Sequence, residues 1–330
     1  MSRRALGLVA AVALLAAAAL VSVLVGTQTI GVRAALGTWL HPDGSDAQRI
    51  VAYLRVPRTL VGILAGAALG VAGGLLQGVT RNALAGPEVL GVNAGAALAV
   101  VLGIAVFGVH TFGGWVWFSF AGAALAGAGV YTLGSLGRGG ATPVKLALAG
   151  AAATALLGGL TTALTLLDIN TFTAYRYWSV GALTSADAAV IRTALPFLAV
   201  GAVLAVASAR ALDAFALGDD MARSLGQGLA AGRATAALGV VVLAGTAVAL
   251  AGPIAFVGLT VPHMARAIAG PAHRWLLPYS AVIAPIVLLA ADVLGRVIAR
   301  PQEVQAGIVT AIAGAPFFVA LVRRRGLASL

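Results

Sequence analysis

The chain has 330 residues, of which 61% are hydrophobic and 9% charged, with a formal net charge of +11. So few polar side chains cannot cover a water-soluble globule of this size. The positive charge does not indicate nucleic-acid binding, because basic residues at the ends of membrane spans set their orientation. The absence of cysteine excludes disulfides and thiol chemistry.

Apolar runs recur along the whole chain and reach the ~20 residues needed to cross a bilayer core. They are continuous and long, whereas barrel strands are short and alternate. The sequence therefore predicts an all-α integral membrane protein with about ten transmembrane helices. The predicted spans are residues 5–25, 57–79, 90–109, 115–137, 144–167, 193–211, 235–252, 253–268, 276–298 and 305–322.

The first run follows Arg3 and Arg4, so it could be a secretory signal. Its apolar stretch is long and no clear small-residue cleavage site follows, which favours a retained first span. If both termini lie in the cytoplasm, 13 of the 21 basic residues fall in inner segments, and this distribution of positive charge favours that orientation. They are Arg3, Arg4, Arg81, Arg138, Lys145, Arg210, Arg223, Arg233, Arg266, Arg274, Arg323, Arg324 and Arg325.

Glycine recurs at every fourth residue of the second span. These glycines are Gly62, Gly66, Gly70, Gly74 and Gly78. They form a groove along one helix face, where a neighbouring backbone can approach closely. The spacing predicts a central, tightly packed helix, although small-residue packing is common in any multi-span protein.

The second span begins at Arg55-Val56-Pro57-Arg58, where proline can open a helix without losing a needed donor. We expect both arginines to face the outer water. One interpretation is interfacial snorkelling. The other is docking of carboxylates from an extracytoplasmic partner, because the guanidinium fork suits bidentate pairing. In the ninth span, Asp292 and Arg296 have the spacing of an intrahelical ion pair.

The longest polar inner loop, residues 216–226, lies between the sixth and seventh spans. Asp219 can cap a short helix and Gly226 can end it. Such a helix would expose Leu217, Ala222 and Leu225 among charges. That suits insertion into a groove on a soluble protein, and a helix lying on the membrane surface is the alternative.

No metal site is expected, since a lone histidine such as His263 is more often structural. Few charges lie within the spans, which argues against a proton-coupled carrier. No convergent set of catalytic side chains appears within them either, which argues against a membrane-embedded enzyme.

Several segments together closely resemble the FecCD-type permease family, the membrane subunits of bacterial importers for iron-siderophore complexes, haem and vitamin B12. Their order and spacing cover nearly the whole chain. The matching stretches are residues 55–58, 73–77, 81–87 with 90–92 and 95–96, 216–218 to 225–226, 252–266, 291–296, 303–307 and 314–317.

The resemblance implies a single permease domain over 1–330 with the type II ABC importer fold, in the bacterial inner membrane. It implies a second permease subunit, identical or homologous, two ATPase subunits that bind ATP and magnesium, and an extracytoplasmic binding protein. The chain itself would bind no cofactor, and membrane lipid would surround it.

The resemblance also assigns roles to residues. The binding-protein docking residues are Arg55, Arg58 and Arg296. The ATPase coupling residues are Leu217, Gly218, Asp219, Ala222, Leu225 and Gly226. The cytoplasmic gate residues are Asn82, Leu84, Ala141 and Thr142. Three departures from the family pattern leave the local backbone less constrained, namely Ala83 and Gln305 where the family usually has proline and Gly86 where it usually has aspartate.

The resemblance favours a ferric siderophore as cargo, and a wide pathway lined by small apolar residues suits a large chelate. Vitamin B12 or haem is the alternative within the family. An ATP-independent secondary transporter is the alternative from another class, and it predicts transport that survives deletion of the ATPase.

Overall fold

A computed structural model describes residues 2–40, 44–88, 90–109, 111–136, 143–184 and 188–324. Every regular element in these ranges is helical, which confirms the predicted all-α class. The helices are α1 Arg3–Leu24, α2 Val32–Leu40, α3 Asp46–Ile50, a π-helical turn Val51–Arg55, α4 Val56–Thr80, α5 Val92–Ala105, α6 Phe112–Ser135, α7 Pro143–Leu167, α8 Ile169–Trp178, α9 Ala188–Phe215, α10 Asp219–Ser224, α11 Leu229–Ala251, α12 Val257–Ala269, α13 His273–Ile298 and α14 Ala306–Arg324.

Seven of the helices in the described ranges are long and apolar enough to cross a membrane by length and composition. They are α1, α4, α6, α7, α9, α11 and α13, and α4 is the end of a continuous helical stretch, Asp46–Thr80. The other three predicted spans coincide with α5, α12 and α14. A helix of 13 residues such as α12 is only about 20 Å long, which is shorter than the ~30 Å hydrocarbon core. Part of the predicted span 253–268 is non-helical backbone that precedes α12.

Helix α4 lies at the centre of the bundle, where α9, α11, α12 and α13 pack around it. Its glycine ridge faces α13. A methyl group at Gly66 would lie 2.7 Å from the Cα of Pro285, and one at Gly70 would lie 2.5 Å from the carbonyl oxygen of Ser280. No side chain fits at those distances, so the close contact of α4 with α13 depends on glycine.

Helix α1 lies at the periphery, where most of its side chains face outward, and it packs on α13. Near its start, the Tyr279 hydroxyl donates to the Arg4 carbonyl at 2.7 Å. Near its end, the Ser22 and Thr59 hydroxyls are 2.9 Å apart, so α1 is attached to both central helices.

Polar residues concentrate at the two ends of α4. The helix begins beside Arg58 and ends beside Arg81, and its 25 residues span about 37 Å. We call these the Arg58 end and the Asp219 end of the bundle.

Candidate functional site

At the Arg58 end, five charged residues form the Arg58 cluster, which comprises Arg55, Arg58, Asp292, Arg296 and Glu303. The Arg58 Nε donates to both Asp292 carboxylate oxygens at 3.1 Å, and its Nη2 donates to Oδ1 at 2.8 Å. Its Nη1 donates to Glu303 Oε2 at 2.7 Å. Arg58 on α4 is thereby joined to α13 and to the turn before α14.

Asp292 and Arg296 form the ion pair that their i,i+4 spacing predicts, at 3.0 Å. Asp292 is 0% exposed and Arg296 only 2% exposed. Arg296 also donates to the Ser22 carbonyl at 2.9 Å and to the Ser22 hydroxyl at 3.0 Å. The Asp292 carboxylate therefore lies between two guanidiniums and is held from both sides.

Arg55 is 6% exposed, so the expectation that both Arg55 and Arg58 face surrounding water was wrong. Its Nη1 donates to the carbonyls of Val23 and Leu24 at 2.8 and 2.7 Å, and its Nη2 donates to the carbonyl of Gln28. The carbonyls at the end of α1 lack intrahelical partners, which is why they draw this guanidinium inward.

A cavity of about 380 Å³ opens at the Arg58 cluster. It is lined by Gly26, Thr27, Gln28, Ile50, Tyr53, Leu54, Arg55, Arg58, Leu183, Thr184, Arg296 and Glu303. Three guanidiniums against one lining carboxylate make it a positively charged recess. Such a recess attracts an anionic group from outside the bundle.

At the Asp219 end, α10 occupies the loop where a short helix was predicted. Gly218 is the N-cap with φ +103°, and no side chain caps the helix, so Asp219 is its first residue and not its cap. Gly226 has φ +74° and donates to Arg223, while Gln227 donates to Ala222, a C-terminal arrangement that favours glycine.

Helix α10 presents apolar side chains to its surroundings. Leu217, Met221 and Leu225 are all more than half exposed. Ala222 is fully buried, so its predicted exposure was wrong: it faces α9 and the bundle instead. Met221 was not among the predicted residues, although it lies four residues before Leu225 and so shares a helix face with it.

Asp219 joins three elements in what we call the Asp219 cluster, comprising Arg81, Asp219 and Arg233. Both Asp219 carboxylate oxygens accept from Arg233 Nη2 at 2.9 Å, and Arg81 pairs with the same carboxylate. Arg233 also stacks over the Phe215 ring at 5.6 Å. The start of α10 is therefore linked to the end of α4 and to the first turns of α11.

The predicted gate residues Asn82 and Leu84 follow directly on α4. The Asn82 Oδ1 accepts from the Leu84 N–H at 2.9 Å, which closes a local turn. Ala141 and Thr142 lie outside the described residues. In the same loop, Glu88 accepts from the Phe256 N–H at 3.1 Å, and Phe256 has φ +66° at the start of α12.

The contact between Glu88 and Phe256 holds the loop that contains Asn82 and Leu84 against the start of α12. This contact was not predicted from the sequence. Burial raises the pKa of the Glu88 carboxyl, and the hydrogen bond from Phe256 opposes that rise. The sequence did offer one signal for Glu88, since it directly follows Pro87, the last residue of a stretch that resembles the family.

The described residues contain no group of three His, Cys, Asp or Glu side chains that could hold a metal ion. His263 lies on α12, and its ring centre is 6.3 Å from that of Phe317 on α14, in an edge-to-face arrangement.

Comparison with known proteins gives a family match over most of the chain. The model of the FecCD transport family matches residues 14–324. The ferric enterobactin transport system permease protein FepD of Escherichia coli (strain K12) is 42% identical over 98% of this chain and 96% of its own length. The Fe(3+)-citrate import system permease protein YfmD of Bacillus subtilis (strain 168) is 43% identical over 86% of this chain and 84% of its own length.

A third relative has a different cargo in its name. The cobalamin import system permease protein BtuC of Halobacterium salinarum (strain ATCC 700922 / JCM 11081 / NRC-1) is 37% identical over 86% of this chain and 76% of its own length. Among solved structures, an inward-facing transporter assigned to the metal-chelate ABC type has a TM-score of 0.77 and 26% identity. It covers 96% of this chain and 98% of its own.

Proposed function

The chain belongs to the FecCD transport family and is the permease of an ABC importer, and we propose that it carries a ferric siderophore across the bacterial cytoplasmic membrane. The observation that supports a ferric siderophore as the cargo is the 42% identity to a ferric enterobactin permease over nearly the full length of both chains. Vitamin B12 is the second candidate, favoured by the cobalamin permease at 37% identity. Haem remains the third candidate within the family.

In this proposal the chain is one permease domain that crosses the membrane ten times, with both termini in the cytoplasm. One continuous apolar core supports a single domain, since it includes buried residues from Val61 on α4 to Ala306 on α14. The short helices α5 and α12 complete their crossings with non-helical backbone, which is tolerated at membrane depth where protein surrounds it. The Arg58 end then faces outward and the Asp219 end faces the cytoplasm, as the distribution of basic residues favours.

The Arg58 cluster receives carboxylates of an extracytoplasmic binding protein. Arg55 and Arg296 are buried, so they contribute mainly positive potential, which speeds and orients docking. Arg58 makes the direct contact. Glu303 is the more exposed of its two carboxylate partners, so an incoming carboxylate replaces Glu303 and leaves Asp292 in position.

At the other end, α10 is the coupling element. Its exposed Leu217, Met221 and Leu225 fit a groove on an ATPase subunit, in the manner of an amphipathic helix that buries its apolar face. Two ATPases hold the ATP and magnesium, and two permeases enclose the pathway. Movement of α10 reaches α4 through Asp219 and Arg81, and reaches α11 through Arg233, so it can shift the Asn82 and Leu84 turn.

Uptake of radiolabelled ferric siderophore tests this function, in proteoliposomes that contain the permease, its ATPase and its binding protein. We expect uptake that needs ATP and the binding protein, and that falls strongly in Arg58→Glu. Arg192→Glu is the matched control, because Arg192 is an exposed arginine on α9, outside the Arg58 cluster.

Two outcomes would change the conclusion. ATP-driven uptake of B12 or haem, without uptake of iron complexes, keeps the importer and replaces the cargo. Uptake that continues without ATP would contradict the importer itself, and it is the result that a secondary transporter predicts.

A further inference from the structure

We propose that a groove beside the Asp219 cluster binds one anionic phospholipid, with its phosphate at Arg81 and Arg233 and an acyl chain between α4, α6 and α11. This ligand site goes beyond the transport function. It rests on two adjoining cavities. One is apolar and suits an acyl chain, and the other is charged and suits a headgroup.

The apolar cavity has a volume of about 450 Å³. Small residues on α6 and α11, such as Gly127 and Ala237, leave the space open. Its lining residues are Leu76, Val79, Thr80, Leu90, Val92, Ala124, Gly127, Ala128, Tyr131, Arg233, Ala234, Ala237, Leu238, Val240 and Val241. Leu238 and Tyr131 at its edge are about half exposed, so the groove opens on the outside of the bundle, where lipid chains are the available apolar occupant.

The charged cavity, of about 260 Å³, adjoins the apolar one and shares four lining residues with it, namely Val79, Thr80, Tyr131 and Arg233. It also contains Arg81 and Asp219. Two guanidiniums against one carboxylate leave a single positive charge, which matches the single negative charge of a phosphodiester headgroup. The Arg81 and Arg233 side chains are 40% and 35% exposed, so a phosphate can reach both.

The guanidinium of Arg233 is held in position before any lipid arrives. Its Nη2 donates to both Asp219 oxygens, and its face lies over Phe215. A guanidinium that is fixed in this way loses little conformational freedom on binding a phosphate. Basic pockets between membrane helices on the cytoplasmic side are typical sites for anionic lipid headgroups, and the Asp219 end faces the cytoplasm in the proposed function. Tyr131 lines both cavities.

A second groove, on the opposite face of α6, separates the effect of the headgroup from that of the acyl chain. It lies between α5, α6 and α7 and has a volume of about 440 Å³, close to that of the first. Its lining residues are Gly95, Leu98, Ala99, Leu102, Gly122, Leu125, Ala126, Gly129, Val130, Leu133, Ala152, Ala153, Leu156 and Leu157. None of these is charged, so this groove can hold an acyl chain but cannot select a headgroup.

Native mass spectrometry tests the site on the assembled importer, released from nanodiscs that contain equal amounts of phosphatidylglycerol and phosphatidylcholine. We expect phosphatidylglycerol to be retained about fivefold over phosphatidylcholine, the preference that one net positive charge near the headgroup confers. Arg233→Gln should abolish the preference. Ala237→Trp should fill the apolar cavity and abolish the preference for phosphatidylglycerol, whereas Gly129→Trp in the second groove should leave that preference unchanged.

The following results would overturn the proposal: equal retention of both lipids by the unaltered protein, an unchanged preference for phosphatidylglycerol in Ala237→Trp, or displacement of phosphatidylglycerol by inorganic phosphate at millimolar concentration. The last result would assign the site to a free anion. Absence of any lipid because a second copy of the chain covers the groove would also overturn it. If Arg233→Gln does not fold, Arg81→Gln tests the headgroup in the same way.

Discussion

The two ends of α4 carry similar charged residues in opposite environments. In the Arg58 cluster the central carboxylate, Asp292, is fully buried between two guanidiniums. In the Asp219 cluster the central carboxylate also lies between two guanidiniums, but all three side chains are a third or more exposed. Burial therefore fixes the pairings of Asp292, whereas the partial exposure of Asp219 leaves its pairings able to exchange.

The largest expected effect follows from removing the buried carboxylate. Asp292→Ala leaves the buried Arg296 without its carboxylate partner and leaves Arg58 paired only with Glu303, and breaking a buried pair in this way costs about 3–5 kcal/mol. We expect a large fall in the melting temperature of the detergent-purified protein. A variant that melts like the unaltered protein would show that water reaches this cluster freely.

The contact between α4 and α13 supports the Arg58 cluster, because Arg58 and Asp292 lie on these two helices. Gly66→Leu would force Pro285 away from α4, and overpacking of this kind costs about 1–3 kcal/mol. Gly129→Leu on α6 is the matched control, since no atom lies within 4 Å of a methyl group there. Equal melting temperatures for the two variants would mean that α4 and α13 separate without penalty.

A smaller effect is expected from the exposed edge of the same cluster. Glu303→Gln weakens the internal competitor for Arg58 and leaves Asp292 paired. We expect the binding protein to dock a few-fold more tightly, on the order of 1 kcal/mol, as measured by biolayer interferometry on nanodiscs. Weaker docking would instead assign Glu303 to the docking surface itself.

The smallest change in stability is expected at the Asp219 end. Asp219→Asn weakens a partly exposed pairing, so the loss of stability should stay below about 1 kcal/mol. Stimulation of the ATPase by the permease should nevertheless fall, because α10 loses its links to α4 and α11. Asp220→Asn is the control, since Asp220 is almost fully exposed and its ion-pair partner among the described residues is Arg223 on α10 itself. Equal ATPase stimulation in both variants would remove Asp219 from the coupling path.

Sequence patterns predicted much of the bundle and parts of the site. Helical class, the positions of the long spans, the close contact made through Gly66 and Gly70, and a short helix ending at Gly226 follow from local periodicity and backbone conformation. The pairing of Asp292 with Arg296 also follows, since both residues lie on one helix.

Those local patterns could not predict contacts between residues far apart in the chain. Arg58 lies 234 residues from Asp292 and 245 from Glu303 in the chain, and Arg55 is buried by carbonyls at the end of α1. The partners of Asp219 are likewise on other helices, and so is Phe256, the partner of Glu88. No local pattern identifies a partner on another helix.

By itself, the sequence determined that this protein is a helical membrane protein with charges at the ends of its spans, because hydropathy and helical spacing act over a few turns of one helix. Its role as a permease followed from the resemblance of its motifs to the FecCD family. Only the tertiary structure decided which of those charges are buried and paired and which remain exposed. The reason is that burial depends on the elements that pack around a side chain, and those elements come from distant parts of the chain.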